Sequence, residues 1–381
     1  MAPGDSSLPP MPANIMNCEM MDMPSVFFND NLASANFRGM RRYFNEVTHG
    51  AAARFGRNLL VYSPVGVDLG PAHHIPALQL RGQQPLRLNQ TIVSVLALTL
   101  RPKVLFNAYY TDVQTPGHEV FTVYDMIPEL MPHHFPLADA GNLKFVAQKR
   151  RSLERAALIF SISASTARDL LTYYPHLDAE RVVVTPLGVD NIFFESPPTL
   201  TGDESRPYFL YVGHRGRHKN FARLLAAFAQ SGLAAHNDLV VLSPGDFQAE
   251  ERALIQNLSL TPHVRIVASA SDATLRSFYR RSVALVYPSE YEGFGLPILE
   301  AMACGTLVAT SCTSSMPEVG GDAAFYFDPL SADSIAQVLD QVAALDDLTR
   351  QQTIARGIAH ARTFTWDRCA RQTIDAIVTL L

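Results

Sequence analysis

Short apolar runs alternate with amphipathic segments along most of this chain, and the alternation starts twice. In the first series Val26-Phe27-Phe28, Asn58 to Tyr62, Lys103 to Phe106, Glu119 to Val123, Leu158 to Ile162 and Arg181 to Val184 read as strands. Their apolar character is nearly continuous, the pattern of strands covered on both faces of a parallel sheet. Helical spacing follows Phe37 to about Arg54 and recurs at 142–155 and 164–172; the Pro-, Gly- and His-rich stretch 63–90 reads as loop before a helix at 91–100. The second series has strands at Tyr208 to Val212, Leu239 to Leu242, Val264 to Val267, Ala284 to Tyr287 and Leu307 to Thr310, with helices near 220–230, 248–258, 272–280 and 297–303. Three helical segments, 331–344, 348–361 and 366–380, close the chain. The polar stretch 195–205, with two adjacent prolines, separates the series as a linker. The fold class is α/β: two doubly wound Rossmann-like domains with a cleft between them, which places both sets of strand carboxyl ends around one ligand.

Size and charge narrow the function classes. A length of 381 residues exceeds one ordinary core, and 48% hydrophobic against 18% charged residues supports well-buried strands. A net charge of −5 argues against a nucleic-acid partner. Cys18, Cys304, Cys312 and Cys369 form no CxxC pair and fit a reduced, cytoplasmic protein. The apolar run Thr91 to Leu100 is half a membrane span and ends at Arg101-Pro102. No basic region followed by an apolar one marks a signal peptide. Residues 1–23, with six methionines and several prolines, read as a disordered tail. Residues 24–195 and 206–365 are then the N-terminal and C-terminal domains.

The segment with most chemistry is Tyr287-Pro-Ser-Glu-Tyr-Glu-Gly-Phe-Gly-Leu-Pro-Ile-Leu-Glu-Ala-Met-Ala-Cys-Gly305. A strand ends near Pro288, a loop carries Gly293, Phe294, Gly295 and Leu296, and Pro297 suits the first turn of a helix stopped by Gly305. Such glycines let backbone N–H groups approach a ligand, and the helix start favours anionic oxygens. Glu292 and Glu300 flank the turn, and a carboxylate can accept two hydrogen bonds from a vicinal diol. Acids near helix starts are more often simple caps, so the pair alone would say little. Retaining glycosidases also pair carboxylates, but hydrolysis leaves the glycine loops and Lys219 without a role. A dinucleotide oxidoreductase would need a third glycine after Val212-Gly-His-Arg-Gly-Arg.

The full string resembles the E-x7-E motif of the family 4 retaining glycosyltransferases, and the resemblance runs from about residue 26 to 381. It implies a GT-B fold, with Glu292 facing a donor sugar and Glu300 holding a donor ribose. Tyr211-Val-Gly-His-Arg-Gly-Arg-His-Lys-Asn-Phe221 resembles the first strand-loop of that family's nucleotide domain, with Lys219 on its diphosphate-binding lysine and Gly213 in its loop. His214 stands where the family has arginine, with Arg215 next to supply the cation. Gly39 matches one of the paired glycines in the N-terminal loop, and Arg38 replaces the other. Phe121-Thr-Val-Tyr-Asp-Met-Ile-Pro-Glu129, Ser161 to Thr166, Pro186 to Asp190 and Ser314 to Asp322 resemble further family segments. Tyr124-Asp125 occupies the place of a His-Asp pair, so both enter the catalytic set with Glu292. The family's final helix returns to the first domain, which adds 366–381 to residues 24–195 as the acceptor-binding unit.

The resemblance implies a retaining hexosyltransferase of cell-surface polysaccharide synthesis that takes a nucleotide-sugar donor and a saccharide or lipid-linked acceptor. GDP-mannose is the favoured donor, because the Tyr-Val-Gly-x-Arg…Lys-Asn-Phe variant resembles that of bacterial polysaccharide mannosyltransferases. A nucleotide-sugar epimerase of the same shape and a non-catalytic nucleotide-sugar-binding module are the competing readings. No DxD occurs, so the expectation is a metal-independent reaction without a cofactor. Protein cations then stabilise the departing diphosphate. The basic cluster Arg38, Arg41 and Arg42 reads as a solvated face or as a contact for an anionic acceptor or lipid surface, which would place the protein peripherally at the inner face of the cell membrane.

Overall fold

The computed structural model describes residues 23–30, 38–64, 69–79, 86–136, 138–195, 206–268 and 271–381. Most of the 1–23 tail and residues 196–205 of the linker lie outside them. Seven parallel strands build the first sheet: β1 (Val26–Asn29), β2 (Leu59–Ser63), β3 (His73–Pro76), β4 (Val104–Asn107), β5 (His118–Val123), β6 (Leu158–Ser161) and β7 (Val182–Val184). Their order is β3-β2-β1-β4-β5-β6-β7. The second sheet has six: β8 (Tyr208–Val212), β9 (Asp238–Leu242), β10 (Val264–Val267), β11 (Ala284–Tyr287), β12 (Leu307–Ser311) and β13 (Ala324–Phe327), in the order β10-β9-β8-β11-β12-β13. In both, the order reverses beside the first strand of the series. That switch point opens a crevice at the carboxyl ends of the strands.

Thirteen α-helices connect and cover the strands among the described residues. The first domain has α1 (Arg38–Phe55), α2 (Leu86–Leu100), α3 (Ile127–Leu130), α4 (Ala140–Arg155) and α5 (Ala164–Tyr173). The second has α6 (Phe221–Gln230), α7 (Ala249–Asn257), α8 (Asp272–Arg281), α9 (Leu296–Ala303), α10 (Met316–Gly320), α11 (Ala332–Ala343) and α12 (Asp347–Ala361). None is long and apolar enough to cross a membrane. Cys304, Cys312 and Cys369 are free thiols.

The last helix, α13 (Trp366–Val378), packs on α1 of the first domain. Its face Trp366, Cys369, Ala370, Ile374 and Ile377 is buried in one cluster with Tyr43, Val47 and Ala51. The chain crosses where Val189 N–H donates to the Phe364 carbonyl at 3.1 Å. Gly188 permits this: a Cβ there would lie 2.2 Å from the Trp366 nitrogen.

Two strands depart from the sequence reading. β3 and the first turn of α2 fall inside 63–90, where His73-His74-Ile75-Pro76 has too little apolar content to read as a strand. It is an edge strand, where proline is tolerated. β13 is the opposite edge of the second sheet and pairs only with β12.

Candidate functional site

After β11 the chain turns through Pro288 to Gly295 into α9. Gly295 takes φ 114°, where an L side chain is strained. Ser315 Oγ donates to the carbonyls of Glu292 and Phe294, at 2.9 and 2.7 Å, and pins the turn from beneath. Phe294 is buried edge-on against Phe364, with ring centroids 6.0 Å apart. Leu296 starts α9 and touches the start of α1, since a Cβ on Gly39 would lie 3.3 Å from Leu296 Cδ1. The first turns of two helices from different domains therefore face each other. At Gly293 the approach is closest: a Cβ there would lie 1.7 Å from the Tyr124 carbonyl oxygen and 3.1 Å from Asp125 Cβ.

Lys219 reaches this turn from the loop after β8. Gly213 opens the loop at φ 131°, and Asn220 closes it in the left-handed region, which asparagine tolerates. Asn220 Nδ2 donates to the Pro288 and Pro329 carbonyls, at 3.0 and 2.7 Å, and so fixes the loop to the Glu292 turn. Lys219 Nζ donates to Glu292 Oε1 at 2.6 Å, with 10% of the glutamate side chain exposed. Burial alone would raise the Glu292 carboxyl, but the Lys219 ammonium beside it, together with His218 and a Ser289 hydrogen bond, outweighs that and holds it below its usual value. The charged pair sits between the two sheets.

Glu300, on α9, accepts from Tyr279 Oη at 2.9 Å. Burial pushes its carboxyl up to about 7, against the hydrogen bond and with help from Asp272 and Asp190. One turn thus carries a fixed anion at Glu292 and, eight residues on, a carboxyl balanced between its charged and neutral forms. Chemically, the Lys219 ammonium can pair with an anionic group and the Glu300 carboxyl can accept from hydroxyls.

Two side chains of the sequence-derived set point elsewhere. The Tyr124 hydroxyl donates to the Ala108 carbonyl at 2.9 Å, and its ring packs edge-on against Tyr43 in the first core. It is not offered to the cleft; Tyr124 meets the second domain through its backbone. Arg215 turns back into its own domain, with 5% of its side chain exposed. Its guanidinium pairs with Glu251 and donates to Ser243 Oγ and to the Pro244 and Asp246 carbonyls. Lys219 is the cation that reaches Glu292. Asp125 lies opposite Gly293 and accepts from Ile127 N–H at 3.0 Å. Burial raises its carboxyl, opposed by Lys149. Of the basic cluster at the start of α1, Arg41 pairs with Asp30, and Arg42 with Glu46 and Asp190; the Arg38 side chain lies outside the described residues.

Sequence reasoning missed several groups. Tyr279 reads as a core aromatic on α8, and only the fold brings it to Glu300. His218, beside Lys219, is half-buried, with its Nδ1 buried and unpartnered. Burial pushes it down to about 4, so it is neutral near pH 7. The cleft is bridged by Thr166 Oγ1 donating to the Gly293 carbonyl at 3.2 Å and Tyr291 Oη donating to Asp169 at 2.7 Å. Glu318 accepts from the first backbone N–H groups of α5, Ala164 and Ser165, at 2.9 and 3.1 Å. Among the described residues, His133, His134 and Glu290 have the spacing to hold a metal ion.

Comparison with known proteins covers both domains. The family described as "Glycosyl transferases group 1" matches residues 194–359. The chain is 34% identical over 236 residues to O-antigen chain mannosyltransferase B of Escherichia coli, across 59% of this chain and 61% of that one. It is 27% identical over 279 residues to the serotype-specific mannosyltransferase WbdA of Escherichia coli, across 70% of this chain and 34% of that one. The match therefore spans less than two thirds of either relative. Among solved structures, WaaG, a glycosyltransferase involved in lipopolysaccharide biosynthesis, superposes with a TM-score of 0.70 at 16% identity, over 92% of this chain and 99% of that one.

Proposed function

We propose that this chain, which carries a group 1 glycosyl transferase domain on a GT-B fold, is a retaining hexosyltransferase that moves mannose from GDP-mannose to a saccharide or lipid-linked saccharide acceptor. The observation that carries the proposal is the turn between the two sheets where Lys219 meets Glu292 at 2.6 Å and Glu300 follows on the helix that the turn opens into. Mannose is favoured because both Escherichia coli relatives are mannosyltransferases by name.

Lys219 binds the diphosphate and stabilises its growing charge as the glycosidic bond breaks. The first backbone N–H groups of α1 and α9, at Gly39 and Leu296, add positive ends of helix dipoles. Glu300 accepts the ribose diol. Glu292, kept ionised by Lys219, accepts from the sugar hydroxyls and stabilises positive charge at the anomeric carbon. The acceptor hydroxyl attacks on the face the diphosphate leaves. The bond from the anomeric carbon to phosphate oxygen breaks, the bond to acceptor oxygen forms, and the departing phosphate oxygen takes the acceptor proton. No side chain is required as base, which suits a Tyr124 hydroxyl held in the core. No metal or cofactor enters this scheme.

The first domain then holds the acceptor. A peripheral contact at the inner face of the cell membrane fits α2, where Leu88, Val95 and Leu98 are exposed on one helix face without an acidic residue between Leu86 and Leu100. Arg87 and Arg101 flank that face and complement anionic headgroups.

The test is purified protein with GDP-mannose, UDP-glucose and a synthetic lipid-linked saccharide. GDP release coupled to an α-linked mannosyl product, read by NMR, is expected. A β-linked product would remove retention, and preference for a UDP-sugar would remove GDP-mannose.

A further inference from the structure

We propose that His133, His134 and Glu290 bind a divalent cation of the zinc class, which fastens the two domains together at the rim of the cleft. The two histidines lie on the loop after α3 in the first domain, and Glu290 lies on the loop after β11 in the second. Glu290 Oε2 is 3.2 Å from His134 Nε2 and 3.7 Å from His133 Nε2. All three ligand atoms lie within 4.8 Å of one another. Ligands about 2.05 Å from a tetrahedral ion stand about 3.3 Å apart, so two of the three edges are near that length without the ion.

The donor chemistry selects the ion. Two imidazoles and one carboxylate suit zinc and its borderline neighbours, whereas magnesium and calcium prefer all-oxygen sites. The site is also held in place beforehand. Arg223 takes the other Glu290 oxygen at 3.3 Å and leaves Oε2 for the ion. The Glu290 backbone is tied at both ends, its N–H to the His218 carbonyl at 2.8 Å and its carbonyl to Thr313 Oγ1 at 2.8 Å. Phe135, next to His134, packs against the His218 ring and lies under the Arg217 guanidinium at 4.4 Å. The histidine loop therefore rests on the second domain already. His133 is largely exposed, which leaves room for water as a fourth ligand.

An ion here ties the cleft shut from outside the Lys219–Glu292 turn. Release of product from such a cleft needs opening, so the bound ion slows turnover. The inference rests on the closed geometry and holds whichever donor the protein uses.

The test is titration calorimetry of the EDTA-stripped full chain with zinc chloride, alongside small-angle scattering with and without zinc. One micromolar site and a more compact zinc-bound form are expected. His133→Ala/His134→Ala should weaken binding at least tenfold and abolish the compaction. His133 is exposed and His134 is partly buried against Glu290, so the variant's melting temperature without metal should fall by no more than a few degrees. Glu290→Gln, which keeps shape but removes the anionic ligand, should weaken binding similarly. Zinc affinity unchanged in the double-histidine variant, or no binding tighter than about 1 mM in the parent, overturns the proposal.

Discussion

Replacing Glu300 by glutamine should make the protein more stable and less able to bind its ligand. The carboxyl rises from 4.5 to about 7 in the folded chain, chiefly through burial. Each unit of such a shift is worth about 1.4 kcal/mol, so ionised Glu300 costs at most about 3.5 kcal/mol. The side chain is partly exposed, and solvent screening reduces the cost to on the order of 1–2 kcal/mol. The sign follows from the raised value. Below the unfolded value of 4.5 the group is neutral in both states, and its contribution is fully present. Stability is lost as pH rises through about 7. Glutamine is neutral throughout and can still accept from Tyr279. Parent and Glu300→Gln should therefore melt within about a degree of each other near pH 5. Near pH 8.5 the variant should melt about 2–4 °C higher. Calorimetry with GDP should show the same variant binding about 1.5–3 kcal/mol more weakly, the scale of a hydrogen bond to a charged group. A melting difference that does not change with pH, or a variant less stable at pH 8.5, would refute the assignment of strain to this carboxyl.

Lys219→Met leaves Glu292 buried without its counter-charge and should cost about 2–3 kcal/mol in chemical denaturation near pH 7. Adding Glu292→Gln should restore more than half of that, and failure to do so would mean the two are not coupled. Because Glu292 is held below its usual value, the stability from this pair should fade as pH drops through the acidic range, the reverse of Glu300. Gly293→Ala places a methyl against the Tyr124 carbonyl, so turnover should fall about a hundredfold while scattering shows a wider cleft; unchanged turnover would show that catalysis does not need this closure. Tyr124→Phe should cost about 1 kcal/mol of stability and leave turnover within about threefold, whereas a hundredfold loss would return the hydroxyl to the chemistry.

The two-sheet architecture was legible because buried parallel strands are written as continuous apolar runs, as in Phe209-Leu210-Tyr211 and Leu285-Val286-Tyr287. The edge strand β3 was not, since His73-His74-Ile75-Pro76 carries no such run; β13 does carry one, Ala324-Phe-Tyr-Phe327, and is absent from the sequence reading all the same. In the site, Glu292, Glu300 and Lys219 stood out because glycines and a proline surround them at turn spacing. Side-chain direction was beyond reach. Nothing in Tyr124-Asp125 says that the phenol turns inward to Ala108, or that Arg215 is held by Glu251 from a helix 36 residues on. His134 and Glu290 lie 156 positions apart, and only closure of the cleft makes them neighbours.

The return of α13 to the first domain bears on how the chain is made. Tyr43, Val47 and Ala51 of α1 find their cover in Cys369, Ala370, Ile374 and Ile377. On a ribosome the first domain emerges more than 150 residues before that cover exists. The second domain, whose strands and connecting helices are contiguous from β8 to α12, can complete its own sheet in the interval. The first domain must wait with an apolar groove open along α1, and it closes only when the chain has been made through Ile377. Synthesis order and folding order are therefore reversed for the two halves, and the waiting groove is where a chaperone would engage the nascent protein.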